Sequence, residues 1–265
     1  MQAPQSSFGS LLRHWRETRR YSQLDLALEA NVSSKHVSFL ETGRNKPSRE
    51  MILRLSNAMD VPLRDRNLML AAAGFAGAYP ERALDAPENS QVDEALQRIL
   101  EKHDPYPAIV LDAAWDVVRQ NRGGVRLAGL FLDEPDIASR NGFEILFSPS
   151  GLQPYIDNWE TLASILLMRL FRETLSAGAP PRALELFRRI ESMPTAPPNW
   201  RELASDLPSG PTIDLVLKKG EIDVRFITTV TTFGTPQDVT LQELRIESYF
   251  PADEATRALC EDWID

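Results

Sequence analysis

Ser33-Ser34-Lys35-His36-Val37-Ser38-Phe39-Leu40-Glu41-Thr42-Gly43-Arg44 is the stretch on which the reading of this chain turns. Ser33 has the side chain of a helix N-cap, because its hydroxyl can accept from an amide of the first turn. Gly43 suits the left-handed conformation that closes a helix. Between them Val37, Leu40 and Phe39 supply an inward face, while Ser34, Lys35, His36 and Ser38 stay polar.

Outward from this helix the same grammar repeats. Phe8, Leu11, Leu12 and Trp15 recur at three- and four-residue steps and predict a helix over 8–19, with Arg13, Arg16, Arg19 and Arg20 mostly off its apolar face. Ser22 caps a second helix in which Leu24, Ala27 and Leu28 share one side. Ser48 caps a fourth, Ile52 to Met59, with Leu53, Leu55 and Ala58 apolar, and Pro62 opens a fifth that runs toward Ala73. The expectation is an all-α module of five short helices.

The chain has 265 residues, so two domains are the prior. With 43% hydrophobic and 25% charged residues its usage is that of a folded protein. The net charge of −9 is unevenly spread: residues 1–80 hold eleven Lys/Arg against seven Asp/Glu (+4), and residues 81–265 hold eighteen against thirty-one (−13). A basic module on an acidic body confines any search for phosphate contacts to the first eighty residues. One cysteine, Cys260, excludes an intrachain disulfide and a multi-thiolate metal site, and three histidines leave few other ligands. No apolar run approaches a membrane span and the first seven residues are polar, so the expected location is the cytoplasm, without membrane contact.

Over about residues 8–73 this pattern resembles the Cro/phage-repressor, or XRE, type of helix-turn-helix domain. Gln23 opens the second helix, Ser33-Ser34-Lys35-His36-Val37-Ser38 the third, and Leu40-Glu41-Thr42-Gly43-Arg44 matches the "LExGR" ending. The resemblance implies that the third helix enters a DNA major groove and that Glu41 pairs with Arg16. A helix fits that groove with its N-terminal turn toward the base edges, which makes Ser34, Lys35 and Ser38, with His36 beside them, the candidates for base readout. Gln23, Ser33, Arg44, Asn45 and Lys46 are the candidates for phosphate. Helix capping is the alternative role of Ser33.

A Gly/Ala/Pro stretch from Gly74 marks a boundary near residue 80. The expected organisation is a helix-turn-helix domain over 1–78, a linker helix within 79–104 striped by Val92, Ala95, Leu96, Ile99 and Leu100, and an α+β domain over 105–265. That helix could connect domains or pair with its copy in a dimer. In the last part, Ala108–Leu111 and Trp115–Arg119 predict a hairpin around the turn at Asp112, followed by a helix over 121–132. The longest helix is expected over 156–175, with another around Leu184, Leu186, Phe187 and Ile190. Strands are expected at Ile213–Leu217, Ile222–Val230 and Val239–Ile246, the last with a bulge near Gln242 where its parity reverses. Five strands in two groups with helices between them describe an antiparallel sheet covered on one face.

The segment Ile109–Asn121, with Phe147-Ser-Pro-Ser-Gly151, Asn158-Trp159-Glu160, Thr232-Phe-Gly-Thr-Pro236 and Ile246–Asp253, is similar to the PAS-like ligand-binding domain of MmyB-like transcription regulators. That resemblance implies a regulator of DNA binding whose C-terminal cavity takes an apolar, fatty-acid-like small molecule. Trp115, Phe131, Phe143, Phe147, Trp159, Leu166, Phe226 and Phe233 are the candidate pocket residues, against plain core packing as the alternative. Trp115 and Trp159 stand out because a buried indole N–H needs a partner, and a ligand head group is one.

Catalytic signatures are missing: no phosphate loop, no Gly-x-Gly-x-x-Gly after a strand, no Gly-x-Ser-x-Gly elbow and no His-Glu-x-x-His. The reading is therefore a non-enzyme with no cofactor and no metal. Its partners would be a double-stranded DNA operator, a second copy of the chain and an apolar effector. The alternative keeps the DNA module but makes the C-terminal domain a ligand-free dimerisation or protein-interaction body.

Overall fold

The computed structural model describes residues 7–134, 136–137, 140–175, 181–205 and 214–264. The chain forms two compact units, Met1–Arg82 with Thr235–Gln242, and Ala83–Gly234 with Glu243–Asp265.

The first unit contains α1 (Phe8–Thr18), α2 (Gln23–Glu29), α3 (Ser34–Glu41), α4 (Arg49–Ala58) and α5 (Leu63–Ala72). The first four start on a serine: Ser7, Ser22, Ser33 and Ser48 accept from the amides of Ser10, Asp25, His36 and Met51. Each cap satisfies a donor that the helix itself leaves unpaired. Leu12, Leu26, Val37, Leu40, Ile52, Leu55, Met69 and Leu70 fill one core, with Trp15 beside them. At Gly9 the backbone of α1 comes so close to α3 that an added Cβ would lie 2.5 Å from the Glu41 carbonyl oxygen. Gly43, at φ 71°, ends α3 as expected.

One expected inward face, that of α2, is corrected. On α2 the buried residues are Leu26 and Ala27, while Leu24 and Leu28 are 58% and 72% exposed. Seven residues make only two turns, too few for apolar spacing to assign the inward side. On α4 the core takes Ile52, Leu55 and Ser56, and Leu53 is half-buried.

The second unit runs α6 (Ser90–His103), β1 (Ala108–Leu111), β2 (Val117–Gln120), α7 (Arg122–Phe131), α8 (Gly142–Phe147), α9 (Trp159–Thr174), α10 (Pro181–Glu191), α11 (Trp200–Leu203), β3 (Leu215–Lys219), β4 (Ile222–Thr231), β5 (Arg245–Pro251) and α13 (Glu254–Glu261), while α12 (Val239–Glu243), between β4 and β5, belongs to the first unit up to Gln242. The sheet order is β2-β1-β5-β4-β3, antiparallel throughout, so the α+β, PAS-like expectation holds. The register places Ile109, Leu111, Glu247, Tyr249, Phe226, Val224, Leu215 and Leu217 on one face. Most of the core lies there: Ile109 and Leu111 pack with Phe143, Phe147, Leu167, Leu170 and Trp200, while Leu215, Leu217, Val224 and Phe226 pack with Leu127 and Phe131. The opposite face carries Ala108, Val110, Ile246, Ser248 and Phe250, and α6 packs on β1 there, its His103 ring 4.9 Å from Phe250. On this second face α6 covers β1, whereas Arg225, Thr229 and Thr231 of β4 are exposed, and α6 buries Leu96 and Leu100 while Ile99 stays exposed.

Two strand expectations change. Trp115 is not in a strand: it sits at φ 66° in a turn held by Asp112 Oδ1, which accepts from the amides of Ala114 and Asp116. Residues 239–246 are not a bulged strand but a short helix followed by β5, which is why the apolar parity reverses between Leu241 and Leu244. Ile213 lies outside the described residues. In β4 the inward alternation buries Val224 and Phe226 but leaves Thr228 and Val230 exposed. Among the described residues no helix is long and apolar enough to cross a membrane.

Candidate DNA interface and ligand pocket

Glu41 fastens α3 to the helices before it. Its carboxylate accepts from Arg16 Nε at 2.6 Å and Nη2 at 3.2 Å and from Gln23 Nε2 at 2.8 Å, and Arg16 Nη1 donates to the Tyr21 carbonyl at 2.9 Å. The Glu41 side chain is 3% exposed and that of Arg16 10%. The hydrogen bonds that Arg16 donates to Glu41 raise the Arg16 pKa above its ordinary value. The expected ion pair is thus present, and Gln23, a phosphate candidate, gives a side-chain N–H to this clamp.

What the clamp leaves outside is polar. Ser33, Ser34, Lys35, Arg44, Asn45 and Lys46 are exposed, and His36 and Ser38 half-exposed. Ser33 caps α3 through His36 N at 3.1 Å. Lys35 Nζ and the Arg44 guanidinium each lie over the Phe39 ring, 5.5 and 5.6 Å from its centroid. Phe39 therefore steadies two cations beside the free amides of the α3 start. Two nearby arginines serve elsewhere: Arg19, the C-cap of α1, donates to the Met59 and Asp60 carbonyls, and Arg13 pairs with Glu17 along α1.

In the second unit the aromatic candidates do not form one wall. Trp115, Phe143 and Phe147 pack in one core cluster and Phe131 and Phe226 in another, with Trp159 and Leu166 packed at the margins. Phe233, half-buried in the loop after β4, belongs to neither. Both indole donors have protein partners: Trp159 Nε1 donates to the Thr195 carbonyl and Trp115 Nε1 to Glu173 Oε2, each at 2.8 Å.

Trp115 leads instead to a group that periodicity did not single out. The guanidiniums of Arg169 (α9) and Arg245 (β5) each lie 4.3 Å from its ring centroid. Arg245 Nη2 donates to Glu173 Oε1 at 3.0 Å, and Arg169 Nη1 to Glu247 Oε1 at 3.5 Å. Tyr249 donates to Glu247 Oε2 at 3.3 Å. Arg245 Nη1 is buried without a hydrogen-bond partner among the described residues. Burial lowers the Arg169 pKa, raises that of Glu247 despite the arginine beside it, and raises Tyr249 well above the usual phenol range. A cavity of about 360 Å³ opens beside this cluster, lined by Ile165, Met168, Arg169, Arg172, Glu173 and Ala204. It joins an apolar wall to two guanidiniums, a composition suited to an anion with a hydrocarbon tail. The sequence did carry a trace of the cluster, since Arg245, Glu247 and Tyr249 alternate on one parity of β5. Among the described residues no group of His, Cys, Asp and Glu could hold a metal ion.

A five-helix unit with an exposed polar third helix, joined in one chain to an antiparallel PAS-like body with a cavity, defines a helix-turn-helix DNA-binding protein carrying a ligand-binding domain. Residues 92–262 match the MmyB-like transcription regulator ligand binding domain, and residues 12–65 match the helix-turn-helix family. The chain belongs to the MmyB-like transcription regulators.

The HTH-type transcriptional regulator RghRB of Bacillus subtilis is 34% identical over 113 residues, which is 42% of this chain and 79% of that protein. The HTH-type transcriptional regulators Mb0023 of Mycobacterium bovis and Rv0023 of Mycobacterium tuberculosis are each 33% identical over 119 residues, 42% of this chain and 46% of each relative. The alignment to the mycobacterial relatives thus spans about half of their length. An RNA-binding light-oxygen-voltage receptor structure aligns over 97% of this chain and 60% of its own at 13% identity, with a TM-score of 0.28, too low to argue a shared fold.

Proposed function

We propose that this DNA-binding regulator senses an anionic, fatty-acid-like amphiphile in the cavity beside Arg169 and that the ligand shifts operator occupancy. The observation that carries the reading is the cavity wall itself, with Ile165, Met168 and Ala204 for a tail and Arg169 and Arg172 for a carboxylate. A ligand that prefers one arrangement of the protein must shift DNA affinity, and DNA must shift ligand affinity by the same factor. Residues 1–78 act on DNA, 79–104 connect, and 105–265 bind ligand. Ser34, Lys35, Ser38 and His36 read base edges, and Ser33, Arg44, Asn45 and Lys46 hold phosphate. Two copies bind half-sites about one helical turn apart.

Native mass spectrometry of the purified full chain tests the ligand half. A co-purifying acyl chain whose retention falls at least about tenfold in Arg169→Ala supports the proposal, tenfold being about 1.4 kcal/mol. Retention unchanged in that variant, or no uptake of added long-chain fatty acid, would sink it. One observation favours the second reading, a ligand-free interaction body: Phe143, Phe147 and Phe226 are fully buried, so the protein's own side chains fill the aromatic core.

A further inference from the structure

Helices α1 to α4 cap themselves, but α5 does not. Its N-cap is Pro62, which has no side-chain acceptor, and the amide of Leu63 donates instead to Gln242 Oε1 at 2.6 Å. Gln242 ends the segment Thr235–Gln242, which leaves the sheet after β4, is part of the compact unit formed by residues 1–82, and returns as β5. Two more anchors hold it in that unit. The amide of Val239, a residue 1% exposed, donates to the Pro80 carbonyl at 2.8 Å. Asp238, 4% exposed, accepts from Thr240 N through Oδ1, and from Arg82 N and Nη1 through Oδ2 at 3.3 and 3.4 Å.

Buried anchors of this kind make the segment a structural part of the DNA-binding unit, since an unpaired buried carboxylate or helix amide is costly. Its two ends are nevertheless covalently continuous with the ligand-binding sheet. On one side β4 ends at Thr231; on the other β5 begins at Arg245, whose guanidinium lies over Trp115.

We propose that Thr235–Gln242 is a coupling strap, through which the state of β4 and β5 sets the stability of α5 and DNA binding is felt in those strands. The coupling must be reciprocal. A ligand that draws on Arg245 acts on the strand that ends the strap, and DNA that orders α1 to α5 holds the strap and restrains both strands.

Hydrogen exchange on the full chain tests this, using as probe the tightest duplex selected from a random DNA pool. In the wild-type protein the duplex should slow exchange in α3 and α5 and also, by about fivefold or more, in Thr228–Thr231 and Arg245–Glu247. In the double variant Asp238→Ala with Gln242→Ala the slowing should persist in α3 and vanish from the strands. Strands that ignore DNA while α3 responds, or that respond alike in both proteins, overturn the proposal. Thermal unfolding without DNA supplies a separate readout: Gln242→Ala alone should lower the melting temperature of the N-terminal unit, and an unchanged value overturns the strap whether or not DNA binds.

Discussion

The two units handle the same chemical groups in opposite ways. In the N-terminal unit a buried carboxylate, Glu41, is saturated by Arg16 and Gln23, and the remaining cations near α3 point outward. In the C-terminal unit Arg169 and Arg245 over Trp115 meet Glu173 and Glu247 at looser Arg–Glu distances of 3.0 to 4.0 Å, and one guanidinium nitrogen lacks a hydrogen bond. A saturated ion pair specifies one arrangement; an unsatisfied one leaves a partner to be gained. The first is therefore a fastening, and the second is where the proposed anionic ligand would compete.

The contrast breaks most sharply at Glu41. Glu41→Ala should destabilise the N-terminal unit by roughly 3–5 kcal/mol, because Arg16 would stay buried without its partner. Denaturant unfolding followed by probes in each unit should show the early loss there alone, and a shift below about 1 kcal/mol would make the clamp ornamental. In the second unit, Trp115→Phe keeps an aromatic ring but removes the donor to Glu173. A loss of about 1–3 kcal/mol is expected from chemical denaturation, smaller than at Glu41 because Glu173 keeps Arg245.

On the exposed face the expected effects concern DNA rather than folding. Lys35→Ala should relax base preference by about 1–3 kcal/mol, whereas Lys46→Ala should weaken all sequences alike and reduce the salt slope by about one. Equal behaviour of the two variants in a selection assay would dissolve the division into base and phosphate contacts. The smallest effect is expected at Cys260, fully buried in α13, where burial pushes the thiol up to about 12. A group raised in this way stays protonated through neutral pH, so alkylation of the native protein at pH of about 8 should proceed only by opening of α13. Rapid labelling without denaturant would contradict that burial.

Much of the first unit was legible because its helices are local objects. Serine caps, three- and four-residue apolar spacing and Gly43 report on neighbours a few residues away, and the Arg16–Glu41 pair followed from the helix-turn-helix resemblance. The exceptions, Leu24 and Leu28, lie on a helix too short for periodicity to assign a side. The pocket was far less legible. Aromatic residues mark a core and a cavity wall alike, and the eight named residues mostly fill cores, whereas Arg169 and Glu173 lie on one helix and Arg245 and Glu247 on a strand more than seventy residues later.

From its residues alone this chain determined the capped helices, the polar tip of α3 and the family to which both parts belong, since these follow from short-range patterns and motif spacing. Tertiary structure alone decided that Gln23 turns inward, that two arginines from separate elements meet over Trp115, and that Gln242 caps α5 across 179 positions of sequence. Such pairings depend on how the sheet register and loop paths bring distant side chains together, and no local preference encodes that.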